Sequence, residues 1–169
     1  MLNENLYMDK AKKILKILKK YDQSEAFIVG GAVRDFLLKK PVTDIDITTN
    51  LLPETICEIF NVPKTRIRYG SVKICFENDY FEITTYRKEG EYLDFRHPSS
   101  IIFIKNVKED LQRRDFTINA ILLDENHNIF DYVNGLTDLN NKIIRIIGDP
   151  YQKLTEDPWA PKMPKFRAI

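Results

Sequence analysis

The chain has 169 residues, 43% hydrophobic and 30% charged, with a formal net charge of only +1. This composition suits one globular domain and the start of a second element, rather than a disordered or membrane chain. No apolar run approaches the roughly 20 residues that span a bilayer, and residues 1–20 mix acidic and basic side chains without a signal-peptide core. A cytoplasmic protein without a membrane partner is expected. The near-neutral balance neither supports nor excludes nucleic acid, because charge can gather on one face.

Residues 5–20 place Leu6, Ala11, Ile14, Leu15, Ile17 and Leu18 at helical spacing with lysines opposite, which predicts an amphipathic surface helix. Phe27-Ile28-Val29 reads as a short buried strand that ends at Gly30-Gly31, and residues 32–39 read as a helix stopped by Pro41. Residues 44–48 alternate polar and apolar, a strand of period two. Pro53 opens a second helix over 53–60.

Strands are then expected over 66–69, 72–77 and 80–86, the last two joined by a hairpin turn at Asn78-Asp79. Residues 87–100 are charged and contain Gly90 and Pro98, the marks of an exposed, mobile excursion. A strand over 101–104, a helix-and-strand stretch through 114–123 and a strand over 129–132 follow. Strands and helices interleave irregularly, so the expected fold class is α+β, a mixed and largely antiparallel sheet with flanking helices. Cys57 and Cys75 lack CxxC spacing, which argues against zinc, and both are expected as reduced core thiols. Pro158, Pro161 and Pro164 bar a regular helix at the end.

The chemistry concentrates in two stretches. The first is Val29-Gly30-Gly31-Ala32-Val33-Arg34-Asp35 followed by Asp44-Ile45-Asp46. Glycines between strand and helix let backbone N–H groups approach an anion, the helix start adds partial positive charge, and Arg34 can fork onto phosphate oxygens. Asp44 and Asp46, at i and i+2 of a strand, project from one face and can hold Mg²⁺ beside substrate phosphates. Singly, these are an ordinary tight turn, a surface ion pair and a polar strand edge. Together in one strand–turn–helix–strand unit they point to nucleoside-triphosphate chemistry by metal-assisted in-line displacement.

The second stretch runs from Glu109-Asp110-Leu111 through Arg113-Arg114-Asp115-Phe116-Thr117-Ile118-Asn119-Ala120. Phe116, Ile118, Ala120 and Ile121 read as core, which would hold Arg113 and Arg114 close to the sheet. Two adjacent arginines there serve either a triphosphate or base edge, or merely a helix surface.

These stretches resemble the head domain of class II tRNA nucleotidyltransferases (CCA-adding enzymes) and bacterial poly(A) polymerases, in the DNA polymerase β-like superfamily. The resemblance also covers Phe81-Glu82-Ile83-Thr84-Thr85-Tyr86-Arg87, Asp94-Phe95-Arg96-His97-Pro98, Gly135-x-x-Asp138-Leu139, Ile144-Arg145 and Gly148-Asp149-Pro150. It implies a head domain over 1–148 and the start of an altered neck over 149–169. By this resemblance, Asp44 and Asp46 bind two catalytic Mg²⁺ ions, and Gly30, Gly31, Arg34, Arg113 and Arg114 bind the incoming ATP or CTP. Glu82 is either a third carboxylate or an ordinary polar strand residue. The excursion over 87–98 resembles the loop that the family associates with switching from CTP to ATP, which favours an enzyme able to add A.

The departure comes after Gly148-Asp149-Pro150. There the family carries Glu-Asp-x-x-Arg, whose Asp and Arg read the incoming base. Glu156-Asp157 are present, but Ala160 stands in the arginine's place. Asp157 is therefore expected in base recognition without its usual companion. The neck, body and tail that grip a tRNA acceptor stem are not among these residues, so a truncated, split or degenerate enzyme all stay open, the split form with a partner chain supplying them. The activity implied is nucleotide addition to a tRNA or other RNA 3′ end.

Overall fold

A computed structural model describes residues 2–90 and 100–149, with side chains from Leu6 onward. The first helix, α1 (Leu2–Leu18), buries Met8, Ala11, Ile14, Leu15 and Leu18 along one stripe. Burying each larger side chain contributes on the order of 1.5–3 kcal/mol. Lys10 and Lys13 on another face pair with Asp79 and Glu77 at 2.6 and 2.8 Å, tying the helix to a hairpin end.

Next come β1 (Ala26–Val29), α2 (Gly31–Leu37), β2 (Asp46–Thr49) and α3 (Pro53–Ile59). A 3₁₀ turn at Lys64–Arg66 leads into β3 (Ile67–Arg68), β4 (Ser71–Phe76) and β5 (Asp79–Thr85). The β4–β5 turn is Glu77-Asn78, both at positive φ (49° and 68°), one residue earlier than expected from sequence. That is the backbone a two-residue hairpin turn requires, and Asn tolerates it.

The expected excursion over 87–100 proves to be framed by structure. Short strands β6 (Arg87–Glu89) and β7 (Ile101–Phe103) pair antiparallel, and the Gly90 N–H donates to the Ser100 carbonyl at 2.9 Å. Residues 91–99, with the Asp94–Pro98 segment of the resemblance, lie outside the described residues. Then follow α4 (Val107–Gln112), a 3₁₀ turn at Thr117–Asn119, β8 (Leu122–Leu123), β9 (Ile129–Phe130) and α5 (Gly135–Asn140).

Seven strands form one sheet in the order β3-β4-β5-β2-β1-β8-β9, with β2–β5 the single parallel pair. The expected mixed, largely antiparallel α+β fold is therefore what the chain adopts. Register sorts the side chains by face. Ile28, Ile47, Ile83 and Val72 stand side by side across β1, β2, β5 and β4, all at 0% exposure, in the core beneath α1. One residue along each strand lies the opposite face, with Val29, Asp46, Glu82 and Lys73 in a row.

A smaller apolar cluster (Val29, Tyr86, Val107, Leu111, Ala120, Leu122 and Ile147) packs α4 against that second face. At the far end Asp138 is buried, accepting from the Thr117 hydroxyl at 2.7 Å and from Arg145 Nε at 3.0 Å. Cys57 is buried, but Cys75 is exposed on β4, correcting the expectation of two core thiols. Cys75 falls on the Lys73 side of the strand alternation, not the Ile74 side. Among the described residues, no helix is long and apolar enough to cross a membrane.

Candidate active site

The site begins where β1 stops. Gly30 has φ 84° and ψ −153°, a conformation open essentially to glycine, and it turns the chain sharply into α2. A β-carbon at Gly31 would sit 3.3 Å from an Arg34 guanidinium nitrogen, so that side chain folds back over the helix start. Its Nε donates to Asp35 at 3.0 Å and another guanidinium nitrogen donates to Asn119 Oδ1 at 2.7 Å. Arg34 is thus held in one orientation by its sequence neighbour and by the 3₁₀ turn after α4.

Asp46 opens β2 and faces Glu82 directly across the parallel pair. Both side chains belong to exposed residues on the face that α4 only partly covers. Asp44 precedes the strand, so the i, i+2 arrangement expected for the two aspartates is not held by ladder hydrogen bonds at Asp44. Tyr7 on α1 senses both aspartates. Burial raises its hydroxyl most, the Ile45 N–H opposes this, and the charges of Asp44, Asp79 and Asp46 raise it further.

Beside the carboxylates opens a cleft of about 180 Å³ lined by Asp46, Glu82, Thr84, Arg87, Arg113 and Arg114, with Ser71, Val29 and Ile47 completing the wall. Acidic groups thus sit on the sheet, and three guanidiniums approach from β6 and the end of α4. Burial, with Arg113 next to it, pushes the Arg114 guanidinium down to about 10, against the favourable fields of Asp110 and Asp46. At neutral pH it remains a cation facing the carboxylate row.

Asp110 organises this corner. Its carboxylate is fully buried and accepts from Arg113 Nε at 2.9 Å and from the Arg87 backbone N–H at 3.0 Å. Arg113 also reaches Glu89 at 3.4 Å, and Glu89 pairs with Arg87 at 2.5 Å. Among the described residues, no three His, Cys, Asp or Glu side chains converge as a ready-made metal cage. Two hard carboxylates on an open face still suit Mg²⁺, which keeps few protein ligands and completes its shell with water and phosphate oxygens.

Comparison with known proteins places the chain in a family. The family model described as the Poly A polymerase head domain matches residues 26–145. The chain belongs to that family. The CCA-adding enzyme of Staphylococcus epidermidis is 43% identical over 151 residues, 88% of this chain and 37% of that enzyme. The CCA-adding enzyme of Bacillus licheniformis is 45% identical over 157 residues, 91% of this chain and 38% of that enzyme. Among solved structures, the Bacillus stearothermophilus CCA-adding enzyme in complex with CTP matches with a TM-score of 0.75 and 36% identity, covering 88% of this chain and 35% of that one. The chain therefore spans little more than a third of the length of these relatives.

Within this head domain, Asp46, Arg113 and Arg114 line the cleft, and Gly30 abuts Asp46. Gly31 and Arg34 lie on the first turn of α2, Asp44 lies on the approach to β2, and none of these three lines the cleft itself. Asp157 lies outside the described residues. Sequence reasoning assigned no role to Asp110 or Asn119, the two groups that hold the arginines in place. A signal for Asp110 was available. Val107, Asp110 and Leu111 make the buried stripe of α4, so a carboxylate occupies a position where helical periodicity calls for an apolar side chain.

Proposed function

We infer that this head domain transfers a nucleoside monophosphate from ATP or CTP to an RNA 3′-hydroxyl, as in CCA or A addition to tRNA. The observation that carries the reading is the in-register Asp46–Glu82 pair on an open sheet face, met by Arg113 and Arg114 across one cleft. Membership of the head-domain family and the CCA-adding relatives support it. In this reading the RNA 3′-oxygen attacks the α-phosphorus, the bond between that phosphorus and the bridging oxygen breaks, and pyrophosphate leaves.

Asp44 and Asp46 would hold Mg²⁺, which when bound lowers the pKa of a coordinated hydroxyl and neutralises phosphate charge. Glu82 adds negative charge beside Asp46 on the same face of the sheet. Gly30 and Gly31 let a phosphate approach the backbone without a β-carbon in the way, and Arg34 supplies a fork within reach of the α2 start. Arg113 and Arg114 bind the nucleotide from the opposite wall, and Asp157 serves base recognition. The family setting points to a cytoplasmic enzyme.

The test is incorporation of labelled ATP and CTP into tRNA transcripts ending before, within and after CCA, with Mg²⁺ present. Incorporation that vanishes in Asp44→Ala and Asp46→Ala is the expected result. Unchanged transfer in those variants would overturn it. A second reading, a nucleotide-binding head that needs a partner chain to hold RNA, rests on Ala160 standing where the family pattern has arginine. It predicts ATP binding in a titration without incorporation into any transcript.

A further inference from the structure

Asp110 has 0% exposure, yet its carboxylate is met by four groups from three chain segments. Oδ1 accepts from Arg113 Nε at 2.9 Å and from the Arg87 N–H at 3.0 Å, while Oδ2 faces an Arg114 guanidinium nitrogen at 3.6 Å and the Thr48 hydroxyl at 3.4 Å. Removing a carboxylate from water carries a penalty of several kcal/mol, so a buried one persists only when paired and hydrogen-bonded. Here the pairing is with the two arginines that line the cleft.

Two adjacent guanidiniums repel each other and, left alone, would swing apart toward solvent. Their side chains are instead only 17% and 16% exposed, and both face the Asp110 carboxylate three and four residues earlier, with Glu89 a further partner of Arg113 at 3.4 Å. A simple tie between α4 and the sheet would need only the contacts to Thr48 and the Arg87 N–H. The further contacts to both arginines fix where two positive charges stand relative to Asp46. Thr48 lies two residues beyond Asp46 on the same strand, so the buried carboxylate also borders the strand that carries Asp46.

We propose that Asp110 is a positioning residue that presets the Arg113 and Arg114 guanidiniums to receive the nucleotide's phosphates. It touches no substrate itself. The inference rests on the proposed function, since it specifies how the nucleotide wall of that site is held.

The test is a double-mutant cycle read by titration with ATP and Mg²⁺. Asp110→Asn keeps the shape and an acceptor for the Arg87 N–H but removes the charge. It should weaken ATP binding at least about tenfold, the scale of a lost charge-assisted contact. In a chain already carrying Arg113→Gln and Arg114→Gln, the same change should add less than about twofold, because nothing remains for Asp110 to position. Thr48→Val, which cuts only the tie to β2, should leave ATP affinity within about twofold of the parent.

Unaltered affinity in Asp110→Asn, or its full effect persisting without the arginines, would overturn the proposal. So would a Thr48→Val loss as large as that of Asp110→Asn. If Asp110→Asn is less stable, the rise in Tm produced by ATP and Mg²⁺ reads the same loss on the folded fraction. A parent chain that binds no ATP would instead sink the functional reading itself, and this inference with it.

Discussion

A β-carbon built on Gly30 would lie 3.2 Å from Oδ2 of Asp46. The glycine that turns β1 into α2 is therefore also the wall against which the Asp46 carboxylate rests. Two constraints meet in one residue, a backbone conformation that side chains disfavour and a close approach to Asp46.

Gly30→Ala should accordingly lower stability by about 1–3 kcal/mol, the usual penalty for a side chain in that region of backbone space. It should also displace Asp46 and depress Mg²⁺-dependent incorporation beyond what the lost stability explains. Urea unfolding and a saturating-substrate assay at low temperature separate the two. A variant as stable and as active as the parent would show that the turn does not aim Asp46.

Glu82 stands opposite Asp46 in the parallel pair and is exposed to the cleft. Replacing it with Gln keeps size and removes charge. The Mg²⁺ concentration for half-maximal incorporation should rise about 10–100-fold, the range seen when a group supporting a metal ligand is altered. An unchanged Mg²⁺ dependence would reduce Glu82 to a polar residue on the open face.

Asp138 is held below the ordinary carboxylate value of 3.8, first by hydrogen bonds from Arg145 and then by the Thr117 hydroxyl. Asp124 is also held low. Burial works against it, but the Asn128 side chain and the Asn128 and Asn126 N–H groups outweigh that. A carboxylate whose folded pKa is depressed stabilises the fold above its unfolded value and loses that contribution as pH falls through the folded one. The urea midpoint should therefore decline as pH drops below about 4. Asp138→Asn should start from a lower midpoint and decline less steeply. Equal steepness in parent and variant would rule out Asp138 as a source of the acid sensitivity.

The two cysteines differ in the same way that their strand and helix differ. Cys57 is 2% exposed, and burial, with Glu54 nearby, pushes its thiol up. Cys75 is exposed. A disulfide reagent on the native protein should modify one thiol rapidly, and Cys75→Ser should abolish that phase while leaving a slow one that tracks unfolding. A fast phase surviving the substitution would mean that Cys57 is reachable in the folded state.

Alternation made much of this fold readable. Asp46, Glu82 and the buried Ile28, Ile47 and Ile83 follow from period two once the strands are placed, and the apolar stripe of α1 follows from helical spacing. Where the periodic signal fails, the reading failed too. Strand β6 is Arg87-Lys88-Glu89, three charged residues without an apolar face, so only its pairing with β7 marks it as a strand. The hairpin turn moved by one residue because Glu77 takes a positive φ that side-chain chemistry does not advertise. Cys75 was misplaced because its type suggests burial while its phase on β4 dictates exposure. Asp110 was passed over because it sits among charged neighbours, where only a count along the helix reveals it on the buried side.

The one parallel pair among the described residues, β2 beside β5, sets the order in which the molecule can become competent. Hairpins such as β4–β5 close locally, but parallel neighbours need the intervening chain to form and cross over first, and such non-local pairings are slow. Asp46 and Glu82 meet only through that pairing, and the arginines arrive later still in the chain. A chain emerging from the ribosome would thus present its first carboxylates long before it possessed a place to use them, and the cleft would be among the last features to mature.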